Sequence, residues 1–260
     1  MLTTLLLVAC PLFASFQDGK PPTKEQIAAT CEALTKALEK GAGADGAVSA
    51  LQAAREVVDA RVIAVIDAKG LRHEDRAVRD AAIDVLGRMQ HPDALEALHK
   101  SLERDKKELE TEPPRHAAYL RAIARHGQEK SIPYLIDDVY QSSDKTLITA
   151  RILGLAHIRS PKSVDEIMQL MRSSRKSWQG GQMPDFRLAL AVLTGEDKGT
   201  DRQLWINWYG DHKVKMEIAP VPPALPAELQ KRWNSYWDLA EGDKKEGKGE
   251  DAREKAAAGR

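Results

Sequence analysis

Apolar residues recur along the middle of the chain at intervals of three, four and seven, and the whole series comes round three times. Placing HEDRAVRDAAIDVLGRMQHPDALEALHKSL (from His73), PPRHAAYLRAIARHGQEKSIPYLIDDVY (from Pro113) and TLITARILGLAHIRSPKSVDEIMQLM (from Thr146) above one another aligns these positions column by column. Ala81, Ala118 and Ala150 share a column, as do Ile83, Leu120 and Ile152. Leu86, Ile123 and Leu155 follow, then Leu95, Ile132 and Val164, then Leu98, Leu135 and Ile167, then Leu102, Val139 and Met171. Such spacing places one apolar stripe on each of two helices per unit, with the turn near Gln90, Gln128 and Arg159. A helix pair of this length cannot bury its stripe alone. The units must therefore stack into one continuous core, which predicts an all-α chain of the α-solenoid kind.

The punctuation agrees with that division. Pro92, Pro133 and Pro161 stand at or near the start of each second helix, where a missing N–H costs nothing and a fixed φ suits the first turn. Ser160 is a natural N-cap before Pro161. Upstream, Ala60 to Ile66 takes the place of a second helix, with Val62 and Val65 in the columns of Leu95 and Leu98, and Ala47 to Val58 takes that of its first helix. Thr23-Lys-Glu-Gln26 has the form of a capping box opening a helix to about Lys40. Past Lys176, Gly180-Gly181 is expected to break the chain before a helix over Phe186 to Leu193. Asp201 is placed to cap a helix on which Trp205, Trp208 and Tyr209 share a face. Residues 219–226 (APVPPALP) read as a stiff polyproline-like linker, and Leu229, Trp233, Tyr236 and Trp237 line one side of a short helix after it.

The segment Asp75-Arg-Ala-Val-Arg-Asp-Ala-Ala-Ile-Asp-Val-Leu-Gly87, followed by His91-Pro-Asp-Ala-Leu-Glu-Ala-Leu98, resembles the HEAT repeat, in particular the short HEAT-like units of phycobilisome lyases. The resemblance spans residues 45 to 177 and implies a stack of helical hairpins. Leu193 to Trp208, with its Leu-Thr-Gly-x-Asp-x-Gly-x-Asp-x-x-x-Trp-x-x-Trp pattern, resembles the terminal unit of exported bacterial HEAT-repeat proteins. The expected organisation is a signal peptide over 1–18, a capping helix over 19–43, HEAT-like repeats over 44–177, an aromatic unit over 178–218, a proline-rich linker and short helix over 219–240, and a disordered charged tail over 241–260.

Composition adds two points. Lys plus Arg and Asp plus Glu are equal at 39 each, so no long-range field draws in a polyanion, and nucleic acid is not an expected partner. The opening residues Met1 to Phe16 form a short apolar run of signal-peptide type, so the chain is expected to be exported to the periplasm, the cell envelope or the outside. Within that run Leu7-Val-Ala-Cys10 resembles a lipobox. A lipid anchor on Cys10 and a simply cleaved signal are the two alternatives, and the first would be the only tie to a membrane. Cys31 has no other partner than Cys10, so no disulfide framework is expected.

Candidate chemistry is thin. The seven histidines do not share a repeat column, and His73-Glu74 is a single His-Glu where a repeat-borne iron hydroxylase would need four, so no metal or other cofactor is expected. Glu196, Asp197 and Asp201 around Gly199 lack the alternating ligands of a calcium loop and read as a turn followed by an N-cap. Arg88, Arg125 and His157 end successive first helices and would align as a basic ladder, which the helix dipole explains without a ligand. No catalytic residues are assigned. The expected function is a non-enzymatic scaffold holding a protein or peptide, and the alternative is a hydroxylase or lyase whose catalytic residues are dispersed in sequence. If second helices line a concave surface, His99, Ile136 and Met168 form one ladder on it and Glu103, Tyr140 and Arg172 the next. The competing role for these six side chains is packing between repeats.

Overall fold

The computed structural model describes residues 21–39, 41, 43–137, 144–173 and 176–239, with the side chains of 176–180 left out. The signal segment with Cys10, the tail from residue 240, Tyr140 and Val139 lie outside the described residues. Twelve α-helices and no strand occur among those described. They fall into two compact units, one ending at Pro223 and one beginning at Ala224.

The first unit is an α-solenoid. Helix α1 (Lys24–Ala37) opens with the expected capping box: Thr23 N–H donates to Gln26 at 2.8 Å and Gln26 N–H donates back to Thr23 Oγ1 at 3.2 Å. Then come α2 (Ala44–Ala54), α3 (Ala60–Val65), α4 (Arg76–Arg88), α5 (Pro92–Leu109), α6 (Pro113–Ala124), α7 (Ile132–Ile136), α8 (Lys145–His157), α9 (Pro161–Ser173), α10 (Lys176–Thr194) and α11 (Arg202–His212). Each of α2, α4, α6, α8 and α10 packs on the next, forming a row of first helices. The partners α3, α5, α7, α9 and α11 form the second helices. Leu86, Leu98, Ile123, Leu135, Leu155 and Ile167 are all fully buried, as their shared columns require.

Two features of this unit depart from the sequence reading. After α3 the chain adopts a π-helical turn, Ile66–Gly70, closed by Leu71 N–H donating to Ile66 O at 3.0 Å. Gly70 lies against the Ala82 side chain of α4, and an added Cβ would meet it at 3.0 Å. The expected break at Gly180-Gly181 is absent, because α10 runs through both glycines and through Pro184. Met183, Phe186, Leu188, Leu190 and Leu193 on this helix are buried, and that apolar area outweighs about 1 kcal/mol for each helical glycine. So α10 continues the first-helix row against α8, and α11 packs on α9. The aromatic segment is thus one more hairpin of the same stack.

Adjacent first helices approach closely where glycine permits. A Cβ on Gly87 of α4 would lie 2.7 Å from Cα of Ala122 in α6. The second unit contains α12 (Ala227–Trp237), whose Leu229, Trp233 and Trp237 are buried. Trp237 meets Trp233 at 5.6 Å between ring centres and Tyr236 at 5.0 Å. Asp238 ends the helix in the left-handed region at φ 54°, which its short side chain tolerates better than most.

Candidate functional site

The second helices carry the face on which a partner was expected. Glu103 on α5 and Arg172 on α9 are exposed, and Ile136 on α7 is half-buried. Lys106 reaches from α5 to Asp137, just past α7, at 2.6 Å. Two expected members of the ladder are not on the surface. Met168 is fully buried, and His99 is buried with its ring stacked on Tyr134 at 4.1 Å and Nε2 3.1 Å from Ser131 Oγ. The α5 and α9 stripes are wide enough to turn these positions into the core, so both side chains complete the packing between repeats. Arg172 is itself engaged, lying over the Tyr209 ring at 5.0 Å, while Tyr209 donates to Asp165 at 2.8 Å.

The turns hold one repeat to the next. Gln90 donates to the Arg125 carbonyl at 3.2 Å, His126 Nε2 lies 3.1 Å from the Leu86 carbonyl, and Ser160 donates to Glu129. Arg159 donates to the Val192 and Leu193 carbonyls and to Ala219 O at 2.6 Å. The bonds to Arg125, Leu86, Val192 and Leu193 satisfy carbonyls that helix C-termini leave open. The basic ladder is absorbed here: Arg88 and Arg125 both donate to Asp84, at 3.0 and 2.7 Å. Burial, reinforced by the nearby Arg125, pushes His157 down to about 4. Burial pushes His99, His116 and His126 down to about 4 as well, so four imidazoles are neutral structural groups at neutral pH.

In the aromatic hairpin Asp201 accepts from Gln203 N–H at 2.8 Å and caps α11. Trp205 is fully buried and donates to Gly199 O at 2.9 Å, and Trp208 stacks on His212 at 4.9 Å. Asp197 takes two bonds from Arg187, at 2.8 and 2.7 Å, and one from Gly199 N–H. These carboxylates serve a turn and a cap, with no group of three or more metal-binding side chains among the described residues.

A cleft of about 450 Å³ that sequence reasoning missed lies beside the first turn of α4, lined by Leu71, Arg72, His73, Arg79, Arg104, Asp105 and Glu108. The π-turn delivers Leu71 to His73 into it. Arg79 donates to the His73 and Glu74 carbonyls at 2.8 and 3.0 Å, fixing the loop. Arg104 grips Asp105 through two bonds, at 2.7 and 2.8 Å, and also donates to Ser101 Oγ and Leu71 O. Burial pushes the Asp105 carboxyl up, but Arg104, Tyr119 and Ser101 together outweigh that and hold it below its ordinary range. Behind the cleft Arg115, with a side chain only 3% exposed, meets Asp80, Glu108 and Glu112 at 3.0, 2.8 and 3.1 Å.

Residues 78–104, from the first turn of α4 through most of α5, match the family described as PBS lyase HEAT-like repeat. The chain carries a HEAT-like repeat. No curated protein matches the chain. Within this HEAT-like unit the matched span supplies Arg79 and Arg104 to the cleft, while Leu71, Arg72 and His73 come from the loop before it. The hairpins on either side repeat its two-helix plan, including Pro161 at the start of α9 as Pro92 starts α5.

Proposed function

We propose that this HEAT-like stack is a non-enzymatic scaffold that holds a protein or peptide partner along the exposed edge of its second helices. The observation that carries this reading is the division of labour between the two rows. Buried histidines and most arginines on the first helices and turns are occupied in holding repeat to repeat, whereas Glu103, Lys106, Asp137 and Arg172 stay exposed and put charges of both signs on the same row as the half-buried Ile136, even where they pair, as Lys106 does with Asp137. Charges of both signs around an apolar centre set the register of a peptide, with the apolar contact supplying affinity. Export to the envelope or beyond is part of the proposal and rests on the apolar opening run of the sequence.

The test is capture by the full chain from an extract of its own cell envelope. The triple variant Glu103→Ala, Ile136→Ala, Arg172→Ala should lose the captured species while its helical circular dichroism stays unchanged. Capture that survives this variant at wild-type level overturns the assignment of the edge.

A further inference from the structure

The cleft beside α4 is lined by three arginines, and they are not equivalent. Arg79 is held by two carbonyls and by Glu108 at 3.5 Å, and Arg104 by Asp105, Ser101 and Leu71. Arg72 is exposed and has no hydrogen bond or ion pair among the described residues. His73 lines the cleft beside Arg72, and the residue is 8% exposed. Asp75 N–H donates to its Nδ1 at 3.0 Å, which places the ring proton on Nε2. That Nε2–H is buried and has no acceptor among the described residues. A buried donor left unmade carries its full desolvation cost, which a native structure retains where an incoming group completes the bond. The loop bearing both residues follows a single π-turn, a distortion that concentrates at functional sites.

We propose that this cleft binds an oxyanion, a carboxylate or phosphate group of a ligand, between the free Arg72 guanidinium and the His73 Nε2–H. The two carboxylates on the walls do not oppose it. Asp105 is gripped by Arg104, and Glu108 by Arg115 at 2.8 Å and Arg79 at 3.5 Å. Their charge is therefore matched before the ligand arrives, and Arg72 is left to pair with it through charge-assisted bonds. The site lies on the loop before α4 and on α5, and it stands whether or not the edge of the second helices holds a partner.

The experiment uses the full chain labelled with ¹⁵N-histidine, with the His73 signal assigned by its loss in His73→Gln. Inorganic phosphate and acetate are titrated separately at constant pH. A saturable shift of the His73 Nε2 resonance is expected, and the anion that produces it at lower concentration tells a phosphate source from a carboxylate source. Arg72→Gln, an exposed change, should weaken the response by roughly tenfold or more, the loss of one charge-assisted bond. Lys162→Gln, exposed on α9, should leave it unchanged. The proposal is overturned if neither anion shifts His73 saturably, if Arg72→Gln responds like the wild type, or if Lys162→Gln weakens the response equally.

Discussion

Helices α5 and α8 occupy the two rows of one solenoid, yet they are built differently. On α5 the apolar residues Leu95, Leu98 and Leu102 face inward, while Glu96, Lys100 and Glu103 remain in solvent. Helix α8 buries Leu147, Ile148 and every residue from Ala150 to Ala156. Its neighbours explain this, because α6 and α10 flank it while α7 and α9 pack on it from the second row. A helix with one wet side keeps a polar stripe, and a helix enclosed on all sides loses it. The width of the stripe therefore reports how many neighbours a helix has.

The hardest way to break this contrast is to put one charge-changing substitution into each row. Leu155→Asp on α8 places an unpaired carboxylate in the core and should cost roughly 4 kcal/mol or more. Glu103→Ala on the exposed side of α5 should stay within about 0.5 kcal/mol. Urea unfolding followed by circular dichroism measures both. Similar midpoints for the two variants would show that α8 is not enclosed in solution.

Acid should act on the same enclosed row. His116, His126 and His157 on α6, its turn and α8, together with His99 on α5, are pushed by burial from an ordinary 6.5 to about 4. Lys130 near His99 and His126, Arg151 and Lys106 near His116, and Arg125 and Arg159 near His157 push the same way, with Asp137 opposing at His116. The unfolded chain thus binds more protons than the folded one between those values. Stability is complete above about 6.5 and falls as the pH drops towards 4. Urea midpoints at pH 7.5 and 5 should differ, with the lower at pH 5. A flat profile would mean that these rings are hydrated.

The close approaches at glycines of the first helices separate backbone from side-chain contact. An added methyl at Gly87 meets Cα and Cβ of Ala122 at 2.7 Å, so α4 and α6 must move apart. At Gly154 it meets a terminal carbon of Leu135 at 2.9 Å, which a rotamer change can move. Gly87→Ala should cost about 1–3 kcal/mol and Gly154→Ala less, by thermal unfolding of each variant. The reverse order would place the rigid joint between α7 and α8.

Much of this was legible in the sequence, for a physical reason. Leu86, Ile123 and Leu155 had to be buried because a stripe of period 3.6 has only one inward side, and the prolines and Asp201 cap helices through local chemistry. The continuity of α10 was not legible, since Gly180-Gly181 and Pro184 are local signals and the packing that overrides them is tertiary. His99 and Met168 stayed open between a surface ladder and packing between repeats, because the sequence shows where a stripe runs and not how wide it is. The cleft escaped altogether. Its residues come from a loop, the first turn of α4 and the last turns of α5, and arginines on helices read as solvated faces. Only the isolated His73-Glu74 stood out, as a single pair where a metal site of that kind needs four, and nothing in it pointed to a cleft.

The smallest effect expected concerns two ion pairs that each tie one hairpin to the next. Lys106 and Asp137 are 2.6 Å apart, but their side chains are 47% and 50% exposed. Water and salt screen that attraction, and fixing the lysine stem in one geometry opposes it, so Lys106→Ala should cost less than about 0.5 kcal/mol. Arg115 makes longer contacts, at 2.8 to 3.1 Å, yet its side chain is 3% exposed and it faces Asp80 on α4, Glu108 on α5 and Glu112. It sits in the first turn of α6, where the helix dipole disfavours a cation, so the three carboxylates must hold it there. Arg115→Ala leaves them without their shared partner and should cost about 1–3 kcal/mol, less than full burial would give because the carboxylates themselves are partly hydrated. Urea midpoints at low and high salt separate the two cases: the Lys106 effect should vanish at high salt and the Arg115 effect persist. Equal salt sensitivity would mean that contact distance, and not burial, sets the strength of these joints.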